Sequence, residues 1–179
     1  MAVDKLLDAV SALLFPPVAA ALLLLVGWML LVCGAFARSL VTRWRGGRPA
    51  RARYLAAIDD AAAHAGEDPE FDLHLQEIVQ RAELEAARSL NAVRFAIRAG
   101  PSLGLMGTLI PMAAALSGLA QGDVPALASR MTTAFSSTVI GIAIGLVAYV
   151  VTLVRETWTR ADLDAVRFHA ERRLRAAES

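Results

Sequence analysis

The feature that most limits what this chain can fold into is a pair of charge-free apolar runs in its second half. Residues 99–120 and 131–153 contain no formally charged side chain. At about 1.5 Å per helical residue, each run is long enough to cross roughly 30 Å of hydrocarbon. A span in lipid must satisfy its own backbone, so both are expected as membrane-crossing helices joined by a turn. Their polarity is confined to glycine and hydroxyls: Ser102, Thr108, Ser117, Thr132, Thr133, Ser136, Ser137 and Thr138. That composition suits close helix packing or the lining of a pore.

A third apolar run covers residues 12–37. Ala35-Phe36-Ala37 has the small-residue spacing of a signal cleavage site, yet the preceding segment carries Asp4 and Asp8 beside Lys5 and so lacks a basic n-region. The run also exceeds the length of an h-region, and six arginines from Arg38 to Arg53 follow it directly. It is read as an uncleaved anchor. Arginines flanking a span are retained on the cytoplasmic side, which places the N-terminus outside and the C-terminus in the cytoplasm. With 56% hydrophobic residues and a mean hydropathy of +0.50, the chain is too apolar for an ordinary soluble domain. The expected fold class is therefore an all-α integral membrane protein with three transmembrane helices and helical cytoplasmic extensions.

In chain order, residues 1–17 form an outer amphipathic lead-in, with Leu6, Leu7, Val10, Leu13 and Leu14 at helical spacing, and Pro16-Pro17 mark a break or the first turn of span one. Residues 18–37 are span one and residues 38–98 a cytoplasmic segment. There a helix over residues 54–65 is punctuated by residues 66–69, and a second helix from Glu70 feeds into span two. Residues 99–120 are span two, 121–130 the outer turn and 131–154 span three. Residues 155–179 form an amphipathic helix whose seam of Leu163, Val166, Ala170, Leu174 and Ala177 suits a neighbouring helix or a symmetry mate.

Within the spans, Pro111 cannot donate to the carbonyl of Gly107 and should kink span two. The stripe of Gly104, Thr108, Pro111 and Ala115 should then face protein or a pore. Thr133, Ser137, Gly141 and Gly145 recur at four-residue steps in span three, a small-residue ridge that lets helix backbones approach. Among the cytoplasmic charges, Glu77, Arg81, Glu83, Glu85 and Arg88 alternate in sign, as on a solvated face supported by close pairs. His64 and His74 read as surface histidines, Cys33 has no disulfide partner, and no Cys/His cluster has metal-ligand spacing, so neither a metal nor another cofactor is expected. The arginine run lacks the interleaved aromatics of a nucleic-acid patch.

Two segments carry a family resemblance. Gly100-Pro101-Ser102-Leu103-Gly104-Leu105-Met106-Gly107-Thr108-Leu109 resembles the "AP-x-LGLLGTV" signature of the MotA/TolQ/ExbB proton-channel family, and Ala134-Phe135-Ser136-Ser137-Thr138-Val139-Ile140-Gly141 resembles its "ALxxTxxGL" signature. The three-span layout is similar to the TolQ/ExbB branch. The resemblance implies a homopentamer in the bacterial inner membrane around a single-span ExbD/TolR/MotB-like partner, powered by protons. Thr108 and Thr138 match the family's two pore-facing threonines, and Gly104, Gly107 and Gly141 fall within the signatures. Thr133 stands where ExbB-like sequences commonly place a glutamate.

The residues themselves also call for a partner. A proton relay needs a group that binds and releases protons within the membrane, normally Asp, Glu or His, and spans two and three have none. Hydroxyls order water and hydrogen-bond to an acid but do not titrate near neutral pH. The expected arrangement is a partner aspartate meeting a polar strip of Thr108, Thr138, Thr133 and Ser137. The alternative is a non-conducting scaffold that uses the same small-residue helices to assemble a membrane complex. No acid pair, Ser/His arrangement or phosphate-binding loop lies by the spans, so no enzyme is expected.

Overall fold

The computed structural model describes residues 2–64, 70–119 and 123–177. Within them the chain is four α-helices without a strand: α1 Ala2–Trp44, α2 Pro49–Ala63, α3 Phe71–Leu119 and α4 Val124–Ala177. The punctuation expected at residues 66–69 and residues 121–122 of the outer turn lie outside the described residues. The side chains of Leu6, Leu7 and Ser117 do so too.

Two helices contain stretches long and apolar enough to cross a membrane, Leu13–Trp44 and Leu127–Ala177, among the described residues. Only 17% and 33% of their apolar windows are buried within the chain, unlike the core helix of a soluble protein. The run over residues 99–119 forms the second half of α3 and is continuous with the charged helical stretch before it.

The N-terminal segment departs from its expected form. Pro16 and Pro17 neither break the chain nor start a span; α1 begins at Ala2 and passes through both. Proline φ is already helical, so the pair costs backbone bonds without ending the helix, and membrane helices tolerate this where neighbouring groups re-satisfy the carbonyls. α2 likewise starts at Pro49, earlier than the apolar pattern predicts, because proline at the first helical position has a preset φ and lacks an amide proton that would go unpaired. α1 ends in a Schellman turn: Gly46 adopts φ +80°, its amide donates to the Arg43 carbonyl at 2.9 Å and the Gly47 amide to the Thr42 carbonyl at 3.0 Å.

The helices divide into two compact units. The first, residues 1–34 with 93–151, buries a stripe of Val18, Leu22, Leu25 and Met29 together with Val93, Ala96, Ala115, Ala134, Ile144 and Ala148. Outward it shows Leu23, Leu24, Leu105, Leu109, Phe135, Val139 and Leu146, each more than half exposed. Such a continuous apolar coat is what lipid or another span covers. The second unit, residues 35–92 with 152–179, has a core of Ile58, Phe71, Leu75, Val166 and Ala170, with Tyr54, Leu55, Ile78, Val79 and Leu174 packed against it. The apolar seam of the C-terminal helix is thus taken up, through Val166, Ala170 and Leu174, by α2 and α3 of the same chain.

Candidate functional site

The site expected from the sequence lies in the first unit, where α3 and α4 run against each other through glycine. An ideal Cβ built on Gly141 would sit 2.5 Å from the Gly100 carbonyl oxygen and 2.7 Å from the Gly104 Cα. One on Gly104 would meet the Ser137 carbonyl oxygen at 3.0 Å and the Thr138 Cα at 3.4 Å. One on Gly107 would meet Ser137 Cβ at 2.8 Å, and one on Gly145 the Pro101 ring at 2.9 Å. Moving forward along α3 from Gly100 through Gly104 to Gly107 moves backward along α4 from Gly145 through Gly141 to Ser137, an antiparallel seam of backbone on backbone. All five glycines are buried, and so is Pro111. At one end of the seam, the carbonyl of Ile97, which Pro101 deprives of its helical donor, lies 3.3 Å from the Cβ position of Gly145.

The seam brings the two signature segments together. Thr108, Ser137 and Thr138 are half-buried, whereas Thr133 is exposed. Most hydroxyl protons are committed to the helix that bears them. Thr108 donates to the Leu105 carbonyl at 2.7 Å, Ser137 to that of Thr133 at 3.1 Å, and Thr133 to that of Ser129 at 3.3 Å. Their oxygens keep lone pairs and can only accept. Thr138 makes no hydrogen bond among the described residues, so its hydroxyl can donate or accept. Residues 99–119 and 131–151 supply no acid or histidine, which leaves this seam polar but unable to carry a proton itself.

The second unit holds residues whose roles sequence spacing does not show. Glu83 and Glu85 do more than line a solvated face, for each pairs across helices. Arg167 reaches Glu83 through Nε at 3.0 Å and Nη2 at 2.7 Å, and Glu85 binds both Arg53 and the Tyr54 hydroxyl. The Tyr54 hydrogen bond, followed by the Arg53 charge, holds the Glu85 carboxyl below the usual carboxylate range. Burial and then Glu85 push the Tyr54 phenol up. Asp59 accepts from His169 at 2.7 Å and from Arg173 at 2.6 and 2.9 Å, which lowers its carboxyl likewise. Within the arginine run, which the sequence presents as a topogenic flank, Arg43 binds Asp162 and lies over the Trp158 ring, 4.8 Å from its centroid, and Trp158 stacks on Phe36 at 5.6 Å. The spacing of Arg43 and Arg53 from other charges holds no such signal, because their partners are 119 and 32 residues away. His64 Nδ1 contacts the Asp60 carbonyl at 3.0 Å. Among the described residues no group of three His, Cys, Asp or Glu is placed to hold a metal ion.

No curated protein and no solved structure matches this chain. The model of one family does, over residues 48–164, which takes in α2, α3 with its glycine seam and most of α4, and on that match the chain belongs to the MotA/TolQ/ExbB proton channel family.

Proposed function

We propose that this protein is the ring-forming subunit of a proton-driven motor of the bacterial inner membrane. In this reading it belongs to the TolQ/ExbB-like branch, crosses the membrane three times with its N-terminus outside, and assembles as a homopentamer around a single-span partner that brings a membrane aspartate. Membership of a proton-channel family and two apolar helices left uncovered by the chain support a membrane channel role. The observation that carries the finer reading is the division of labour among the hydroxyls at the seam. Thr108 has spent its proton on Leu105 and can only accept, while Thr138 is uncommitted.

An aspartate alternates between two states with opposite hydrogen-bonding needs. Ionised, it needs donors, and Thr138 can donate. Protonated, it must place its own proton, and Thr108 or Thr138 can accept it. A pair of this kind meets both forms without titrating. One charge moved through about 100 mV releases roughly 2.3 kcal/mol, enough for a few protons to drive a conformational step.

The test is proton uptake into liposomes under an imposed gradient, with the chain alone, with its candidate partner, and with the partner plus Thr108→Val or Thr138→Val. Flux that requires the partner and falls at least tenfold in either valine variant, with assembly intact, supports the motor. An assembled complex that passes no protons, or valine variants that conduct like the parent, leaves a scaffold as the better description.

A further inference from the structure

In the second unit α3 and α4 leave a groove of about 470 Å³ between them, floored by Leu75, Val79 and Leu174 and rimmed by Asp72, Glu83 and Glu171 among others. Val79 and Leu174 are only half-buried, so the core of this unit reaches the surface there. A single arginine, Arg167, faces the three carboxylates, and Glu83 already engages it at Nε and Nη2, at 3.0 and 2.7 Å. Asp72 accepts from the Gln76 amide at 3.3 Å. Glu171 is exposed and has no ion pair or hydrogen bond among the described residues. The groove is thus an apolar floor beneath a rim that keeps negative charge after its internal pair is made.

The same unit carries the matching shape. Phe168 lies off the seam that α4 buries against α2 and α3, and it is 69% exposed. It stands 15 positions beyond Leu153, the end of the charge-free run, which is about 22 Å along a helix and out of reach of hydrocarbon. Arg172, one turn further on, is exposed and also has no ion pair among the described residues. An aromatic with a free cation beside it complements an apolar groove with free carboxylates. Height adds a second constraint. A rotation about the membrane normal carries one copy onto the next without changing height, so an anchor and its receptor must stand level on a single chain. Phe168 lies between Arg167 and Ala170, which both line the groove, and Arg172 is next to Glu171. Phe168 does not line the groove of its own chain.

We propose that Phe168 of each copy seats in the α3/α4 groove of the next, on Val79 and Leu174, with its Arg172 against Glu171 of that next copy. The occupant is a second copy of this chain because anchor, cation, groove and carboxylate are all present on each copy, level with one another and unpaired. Anchor and groove are different surfaces, so the contact is heterologous, and heterologous contacts close into a ring when the rotation allows. An aromatic seated in a pocket and ringed by charges is the part of such an interface that carries most of its energy. This docking rests on the ring proposed above and adds to it the water-facing surfaces through which copies meet.

The experiment oxidises the full-length Cys33→Ser chain in membranes and reads disulfides on a non-reducing gel, while native mass spectrometry in detergent counts the copies. Phe168→Cys combined with Gln80→Cys, at the groove wall, should give a ladder of linked chains that ends at the ring. Either cysteine alone should give single chains, because a heterologous contact does not set a residue against itself. Phe168→Ala should raise the protein concentration at which half the rings dissociate about tenfold, whereas Leu84→Ala, another exposed apolar side chain of this unit, should leave it unchanged. Arg172→Glu should weaken the ring, and adding Glu171→Arg should restore it. Parent rings that give no ladder from the cysteine pair, or that Phe168→Ala does not weaken, overturn the docking and leave the ring standing. Dimers from Phe168→Cys alone mean a two-fold contact and overturn it too. A parent that is monomeric in detergent and unlinked in membranes overturns the ring and the docking together.

Discussion

The two units hold helix against helix by opposite means. In the first, α3 and α4 approach until a hydrogen is all that fits between Gly141 and the backbone at Gly100 and Gly104. In the second, α2, α3 and α4 are kept apart by Ile58, Phe71, Leu75 and Val166 and latched at the rim by Arg53 with Glu85, Arg167 with Glu83, and Arg173 with Asp59. The difference follows from the solvent. Water drives apolar side chains together, so a core of large residues forms and charges finish its edges. Lipid tails are as apolar as leucine and supply no such drive, so helices there gain most from dispersion at close range, which only small residues permit.

The largest effect should come from filling the seam. Gly141→Val places carbon 2.5 Å from a backbone oxygen and 2.7 Å from a backbone carbon, neither of which belongs to a movable side chain. Overpacking of a core costs about 1–3 kcal/mol when side chains can give way, and more is expected here. The variant should lose the monodisperse folded peak in detergent, whereas Gly34→Val, with open space around it, should keep the peak. Equal stability of the two would show that the seam is not what holds α3 to α4.

These two kinds of packing are unequally legible in the sequence. Glycine at steps of three and four is a local pattern, so packing at residues 104, 107, 141 and 145 can be read from the order of residues, whereas the approach at Gly100 emerges only in the folded chain. The periodic seam of the C-terminal helix is visible for the same reason, although periodicity does not say which helix covers it. The latches are invisible there because each joins residues far apart: Arg167 to Glu83 across 84 positions, Arg173 to Asp59 across 114. His169, which shares Asp59, is hidden on the same ground. So are the hydroxyl commitments, since a threonine reads alike whether its proton is spent, as in Thr108, or free, as in Thr138.

A smaller effect should follow from opening the aqueous core. Ile58 is fully buried, and Ile58→Ala should cost about 2–5 kcal/mol, depending on how far the site collapses. Proteolysis in urea should cut α2 of the variant well before the parent. If the glycine seam and this core are stabilised separately, the first unit keeps its resistance. Coupled loss of both at the same urea concentration would mean that the contrast between the units is one of chemistry only, without independence of folding.

The smallest effect, and the most selective, concerns pH. Asp59 is held below the usual carboxylate range by hydrogen bonds from His169 and Arg173, and Glu85 by those from Tyr54 and Arg53. A carboxyl depressed in the folded state contributes fully above its unfolded value, about 4, and the contribution disappears as pH falls through the lower folded value. The second unit should therefore lose stability on acidification below about pH 4, and Asp59→Asn should lower stability modestly near neutrality, as expected for an exposed pair, and remove the Asp59 share of the acid limb, so that variant and parent converge at low pH. Added salt should narrow the difference between variant and parent, because the pair is exposed and screened. The seam of α3 and α4 has no group that titrates in this window, so its response to acid should be flat in both proteins. Protease resistance of α2 and of the seam, followed separately from pH 7 to pH 3, measures the two limbs side by side. An acid limb in the seam that Asp59→Asn also flattens would mean that the latches on α2 reach into the packing of α3 on α4, and the two units would have to be treated as one.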